Sequence, residues 1–198
     1  MATRGRIKGA AIRDFIAWYA REHDLERLKR AIRQLPEQAQ AAFDFNHGAL
    51  GVLPSTWFEA ADVHRVLDIL TEGLSPAAYE ELARTGGHAT VQGLMTGVQR
   101  IVFTRFMTPG AYSKLATIAF RLNYDAGEVV TEELGPRRHA GNVLGWTAHH
   151  PFLCRMHVAI KVEIYAAMGC QGARIEQRYC RSDGDARCGS IIVWDESE

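Results

Sequence analysis

The chain lacks a charge excess, a long apolar run and a cysteine framework, and each absence excludes a class of function. Lys+Arg and Asp+Glu both number 23 in 198 residues, so the formal net charge is zero. A broad nucleic-acid footprint, which normally shows as a basic domain, is therefore not expected. The local basic group Arg4, Arg6, Lys8 and Arg13 reads as a solvated end. No window approaches the roughly 18 consecutive apolar residues that a membrane-crossing helix needs. The opening Met1-Ala-Thr-Arg-Gly-Arg-Ile-Lys8 has no apolar core of signal-peptide length, which points to the cytoplasm. In that compartment four cysteines are expected to be free, metal-bound or redox-active rather than paired. There is no hydrolase elbow and no metalloprotease helix motif. Gly86-Gly87, Gly93 and Gly97 follow no strand, so they match no phosphate-binding loop. Asp and Glu are scattered, and none forms an evident acid–base pair.

What is present is hydrophobic periodicity. Ile12, Phe15, Ile16 and Tyr19, then Leu25, Leu28, Ile32 and Leu35, follow helical spacing, with Pro36 as the stop. Ser55 is read as the cap of a second helix ended by Gly73, and residues 37–53 as a loop. Ser75-Pro76 opens the longest helical stretch, interrupted at Gly86-Gly87. Its second half, from Val91 to Phe106, is read as a central core helix ended by Pro109-Gly110, and a short helix over 111–118 follows. Ile118, Phe120, Leu122 and Tyr124 alternate, which predicts a strand over 118–124 and a hairpin turn at Asp125-Ala126-Gly127. Strands are expected at 128–134, 138–146, 173–181 and 188–194, with a helix over 151–168. The fold class is then α+β: a helical N-terminal half packed on an antiparallel sheet with an inserted helix. One domain spans 1–198, mainly helical over 1–110, with sheet, helix and cysteines over 111–198.

The most specific local pattern is Cys180-Arg-Ser-Asp-Gly-Asp-Ala-Arg-Cys188 with Cys154 upstream. If Arg181 faces Arg187 across a hairpin, Cys180 faces Cys188, and directly opposed residues have Cβ atoms about 4.5–5.5 Å apart. Cys154 begins the preceding helix, which could lie across that face. A tetrahedral zinc would want a fourth ligand. His157, His150, Cys170, Asp183 and Asp185 are all candidates, and the spacing selects none of them. The plain alternative is that buried cysteines act as small hydrophobes.

The run from about Gly145 to Trp194 resembles the ending of the four-vinyl reductase (V4R) domain, on Cys154, Ile175-Glu-Gln-Arg-Tyr-Cys180, Gly184-Asp185, Cys188 and Ile191-Ile-Val-Trp194. The whole chain is also similar to an uncharacterised myxobacterial paralogous family, through Ile7-Lys8-Gly9, Ser55-Thr-Trp57 and Tyr124-Asp125-Ala126-Gly127. The first resemblance implies the ligand-binding fold of nitric-oxide signalling and Golgi-transport proteins. Members of that group bind a small apolar molecule or a partner, commonly as dimers, and the domain itself is not usually catalytic. It also implies a structural zinc on Cys154, Cys180 and Cys188. The family's glutamate position holds Gln177, a poor ligand, and Glu176 would need a bulge to reach the site.

Trp146 and His149 are the candidate ligand-binding residues, at a strand end beside a helix start. Phe103, Phe106, Met107, Tyr112 and Phe120 suit either a core or a cavity wall. The expected function is a non-catalytic sensory module that takes a small hydrophobic molecule or a protein partner, as a homodimer. One alternative is an assembly scaffold with a filled core, and another is an enzyme using Cys154 with His157. An apolar cavity under the inserted helix would favour the sensor, and a solid core the scaffold.

Overall fold

A computed structural model describes residues 5–196; Arg4 of the basic group lies outside them. In chain order the elements are β1 (Arg6–Lys8), α1 (Gly9–Glu22), α2 (Leu25–Arg33), α3 (Glu37–Gln40), β2 (Trp57–Glu59), α4 (Ala60–Thr71), α5 (Pro76–Leu94), α6 (Gly97–Arg105), α7 (Pro109–Arg121), β3 (Glu128–Gly135), β4 (Arg138–Leu144), α8 (Pro151–Ala167), β5 (Arg174–Tyr179) and β6 (Cys188–Val193). A four-stranded antiparallel sheet runs in the order β3-β4-β6-β5, and β1 pairs with β2 in a second antiparallel sheet. The α+β architecture read from the sequence is the one observed.

The N-terminal helices bury the stripe that their periodicity marked. Ile12, Phe15, Ile16 and Tyr19 of α1 pack with Leu28, Ala31 and Ile32 of α2. The apolar spacing runs through both, but the Asp24 side chain accepts the Arg27 backbone N–H at 2.7 Å and starts a new helix. Ser55 caps nothing; residues 57–59 pair with β1 instead, and α4 starts at Ala60 behind Glu59. The glycines of α5 do not interrupt it. A Cβ at Gly87 would lie 2.7 Å from the Ala159 Cβ and 3.0 Å from the Met156 carbonyl, so the glycine lets α5 settle onto α8.

Two expectations are corrected in the middle of the chain. The stretch from Val91 to Phe106 is not one core helix. It breaks at Met95-Thr96, and Val98, Ile101, Val102 and Phe106 are exposed. The expected strand over 118–124 is the end of α7. Thr108 caps that helix, its hydroxyl accepting the Ala111 N–H at 3.2 Å, with Pro109 in the first turn. Helical spacing turns Ala116 and Phe120 inward and leaves Ile118 and Leu122 outside, so the alternation was a by-product of two helix faces. The turn after α7 is pinned to the N-terminus by Lys8 N–H donating to the Asn123 carbonyl at 2.8 Å and by the Arg6–Asp125 ion pair.

Candidate functional site

The sheet, α7 and α8 do not close on one another completely. Between them and the α1/α5 layer lies a cavity of about 450 Å³. Its wall is mostly apolar or aromatic, including Leu94, Phe103, Phe120, Trp146, Ile160 and Ile164. The polar groups in it are few, which is the usual make-up of a small-molecule site. Helix α8 supplies the main ones. His157 and Lys161 are one turn apart and so share a face. His157 Nε2 lies 2.9 Å from the Tyr124 hydroxyl. Its ring packs against Trp146 at 5.0 Å between centroids. Burial pushes that imidazole down to about 4. Lys161 Nζ donates to the carbonyl and the hydroxyl of Ser190 at 3.0 and 3.2 Å, and burial lowers it to about 8. Tyr112 and Tyr165 also reach the wall. Burial raises Tyr112 to about 12, and Tyr165 is tied to His139 at 2.9 Å.

The cysteine corner forms a second cluster at the edge of this cavity. Register pairs Tyr179 with Gly189, and continuing it puts Cys180 opposite Cys188. The Asp185 carboxylate accepts the Cys180 N–H at 2.7 Å, which closes the loop through Gly184 in the left-handed conformation. The Cys154 thiol turns onto the hairpin from the first turn of α8. Donor atoms of His149, Cys154, Cys180 and Cys188 lie within 4.8 Å of one another. His149 is the member that spacing did not identify, because it precedes the helix and is carried back by the Trp146–His150 turn. The other candidates are engaged elsewhere. His150 meets Asp68 at 3.0 Å, His157 meets Tyr124, and Asp183 meets Arg155 at 3.2 Å. A bulge does fall between Ile175 and Gln177, but it sends Glu176 to Arg138 at 2.7 Å.

Electrostatics divide the thiols. Cys154 donates its one proton to the Tyr179 carbonyl at 3.9 Å, and the neighbouring Cys188 sulfur, with burial, raises its pKa. The adjacent Cys154 thiol and His149 favour the thiolate on Cys188. Cys154 is buried and protonated, and His157 bonds Tyr124 rather than Cys154, so the pair expected of a cysteine nucleophile is not formed. Of the two candidate ligand-binding residues, Trp146 lies in the cavity wall. His149 instead turns to Cys180, with Nε2 3.6 Å from Sγ. Sequence alone does not single out Lys161, because a lysine in a helix reads as a solvated group. Its one visible signal was its place one turn after His157 in an otherwise apolar stretch.

No family model and no curated protein matches the chain. Solved structures do. The iron(II) unliganded H-NOX protein from K. algicida superimposes with a TM-score of 0.70 at 12% identity, covering 96% of this chain and 98% of that one. The H-NOX protein from S. oneidensis in the Fe(II)NO ligation state gives 0.66 at 11%, covering 96% and 100%. A structure described under haem redox potential and porphyrin distortion gives 0.59 at 9%, covering 95% and 100%. The chain shares the fold of these H-NOX structures; V4R membership finds no support. Among the described residues no helix is long and apolar enough to cross a membrane.

The expected structural zinc is corrected. The solved structures that share the fold are described with iron or haem. Two of the thiols, moreover, have partners without an ion: Cys154 with the Tyr179 carbonyl, and Cys180 with His149. Cys154, Cys180 and Cys188 belong to the same hydrophobic cluster as α1 and α4, as buried cysteines commonly do.

Proposed function

We propose that this chain is a non-catalytic small-molecule-binding module that takes an apolar molecule into the cavity between α7, α8 and the sheet. The observation that carries the reading is the cavity itself, about 450 Å³ of mostly apolar space inside a fold of fewer than 200 residues. A chamber of that size forfeits packing that a scaffold with a filled core would keep. The sensory role rests on the likeness to H-NOX proteins, described with iron, haem and nitric oxide.

Haem does not fit the residues lining this cavity. Iron in haem is held by His, Cys, Met or Tyr. Neither α6 nor α7 contains a histidine. The one imidazole in the wall, His157, is bonded to Tyr124 and packed against Trp146. A phenolate at Tyr112 is opposed by burial, and the Cys154 thiol keeps its proton on the Tyr179 carbonyl. Two propionates would meet one lysine, Lys161.

Response to the ligand would pass through protein contacts, in a homodimer or with a partner. The stripes Val98–Ile101–Val102 on α6 and Leu115–Ile118–Leu122 on α7 are exposed apolar surface of the kind that interfaces cover.

Calorimetric titration with decanol tests the reading. Saturable binding of one molecule per chain is expected, lost when Ala116→Phe fills the cavity. No binding by the native chain overturns it. Addition of haem should give no stoichiometric Soret band, and a stable one would overturn the exclusion.

A further inference from the structure

We propose that the cavity selects apolar carboxylic acids, bound as anions with the carboxylate on the Lys161 ammonium. This rests on the reading of the cavity as an apolar ligand site and adds the polar half of the ligand. A buried ammonium is costly unless it is paired. Lys161 reaches the cavity from α8 with the β6 strand behind it. Its Nζ uses two bonds, both to neutral oxygens of Ser190, itself buried. An ammonium has three donors, so one remains. Among the described residues no carboxylate pairs with it, and burial is the sole cause of its lowered pKa.

Other groups around the cavity fit an acceptor in the ligand. Opposite Lys161, Gly141 of β4 has no side chain; a Cβ there would sit 3.0 Å from Nζ, so the glycine keeps the ammonium uncovered. The acidic side chain among the wall residues is Asp14, on α1. It lies 3.8 Å from Arg13 and against Gly93 of α5, and burial raises its pKa. It forms no ion pair with Lys161. A neutral apolar ligand would leave the ammonium as it stands, whereas a carboxylate would supply the missing charge-assisted bond.

The test compares decanoate with decanol on the full chain and on Lys161→Met and Lys161→Arg variants, by calorimetry at neutral pH. Lys161→Met removes a half-buried charge and keeps the length of the stem, and an unchanged melting temperature verifies its fold. Decanoate binding is expected to weaken at least about tenfold in Lys161→Met and to be largely kept in Lys161→Arg, while decanol changes by less than about threefold. Equal decanoate affinity in native protein and Lys161→Met overturns the proposal, as does binding of decanol without decanoate; both leave the apolar cavity standing. Failure of both probes to bind the native protein overturns the proposal together with the reading it rests on.

Discussion

The two sides of this molecule are packed to different standards. Around α1, α2 and α4, Phe15, Leu67, Leu153 and their neighbours leave a void of only about 20 Å³. Across α8, the space under α7 and the sheet holds about 450 Å³. Both walls are apolar and both are built on the same helix, whose Leu153 faces the first region and Ile160 the second. The difference teaches where stability and function reside. A filled core gains dispersion on every side, while a chamber forgoes it to keep room for a ligand. The chamber also carries two half-buried ionisable groups, His157 and Lys161, whose charged forms are disfavoured there.

The comparison is broken most severely by deleting a ring on the filled side. Phe152 is fully buried between Phe15 and Tyr79, with centroids at 5.4 and 5.5 Å. Phe152→Ala should cost about 3–5 kcal/mol in denaturant unfolding. Phe103→Ala on the chamber wall should cost about 1 kcal/mol or less, since the ring already faces open space. Equal losses would mean that the chamber is collapsed in solution.

Acid should act through the chamber next. His157 holds its proton below about 4 in the fold and near 6.5 when unfolded, so between those values the unfolded chain binds more protons. Its contribution is complete above the unfolded value and drains away as pH falls toward 4, by about 3 kcal/mol in all. His157→Gln should flatten that part of the stability profile. An unchanged slope would show that other groups control it.

The smallest effect should be a gain. Ala116 is buried on α7 at the chamber wall. Ala116→Leu should add about 0.5–1 kcal/mol by filling space while lowering decanol affinity. A loss of stability would show that the wall is tighter than it stands here.

Much of this could be read from the sequence, and the exceptions have specific causes. The final hairpin, its Gly184 turn and the facing of Cys180 and Cys188 follow from period-two alternation and turn residues. Those signals are local, and the register of one hairpin then places both thiols. The strand expected at 118–124 failed because four apolar residues at alternate positions also fit two sides of a helix, and the Thr108-Pro109 cap decided between them. His149 was read as a pocket residue and stands with the cysteines, because the turn before α8 sets its direction. The zinc expectation came with a family likeness that the fold comparison did not sustain.

Composition, periodicity and caps by themselves determined the class of fold, the order of most elements and the facing of Cys180 and Cys188 across their hairpin, since each depends on neighbours a few residues away along the chain. Whether the space beneath α8 would be filled or open depended on the sizes of side chains from several elements separated by over a hundred residues. So did the burial of Lys161 beside Ser190 rather than in water. Those outcomes belong to the tertiary structure, because volume and solvation are properties of an enclosure and no segment carries them alone.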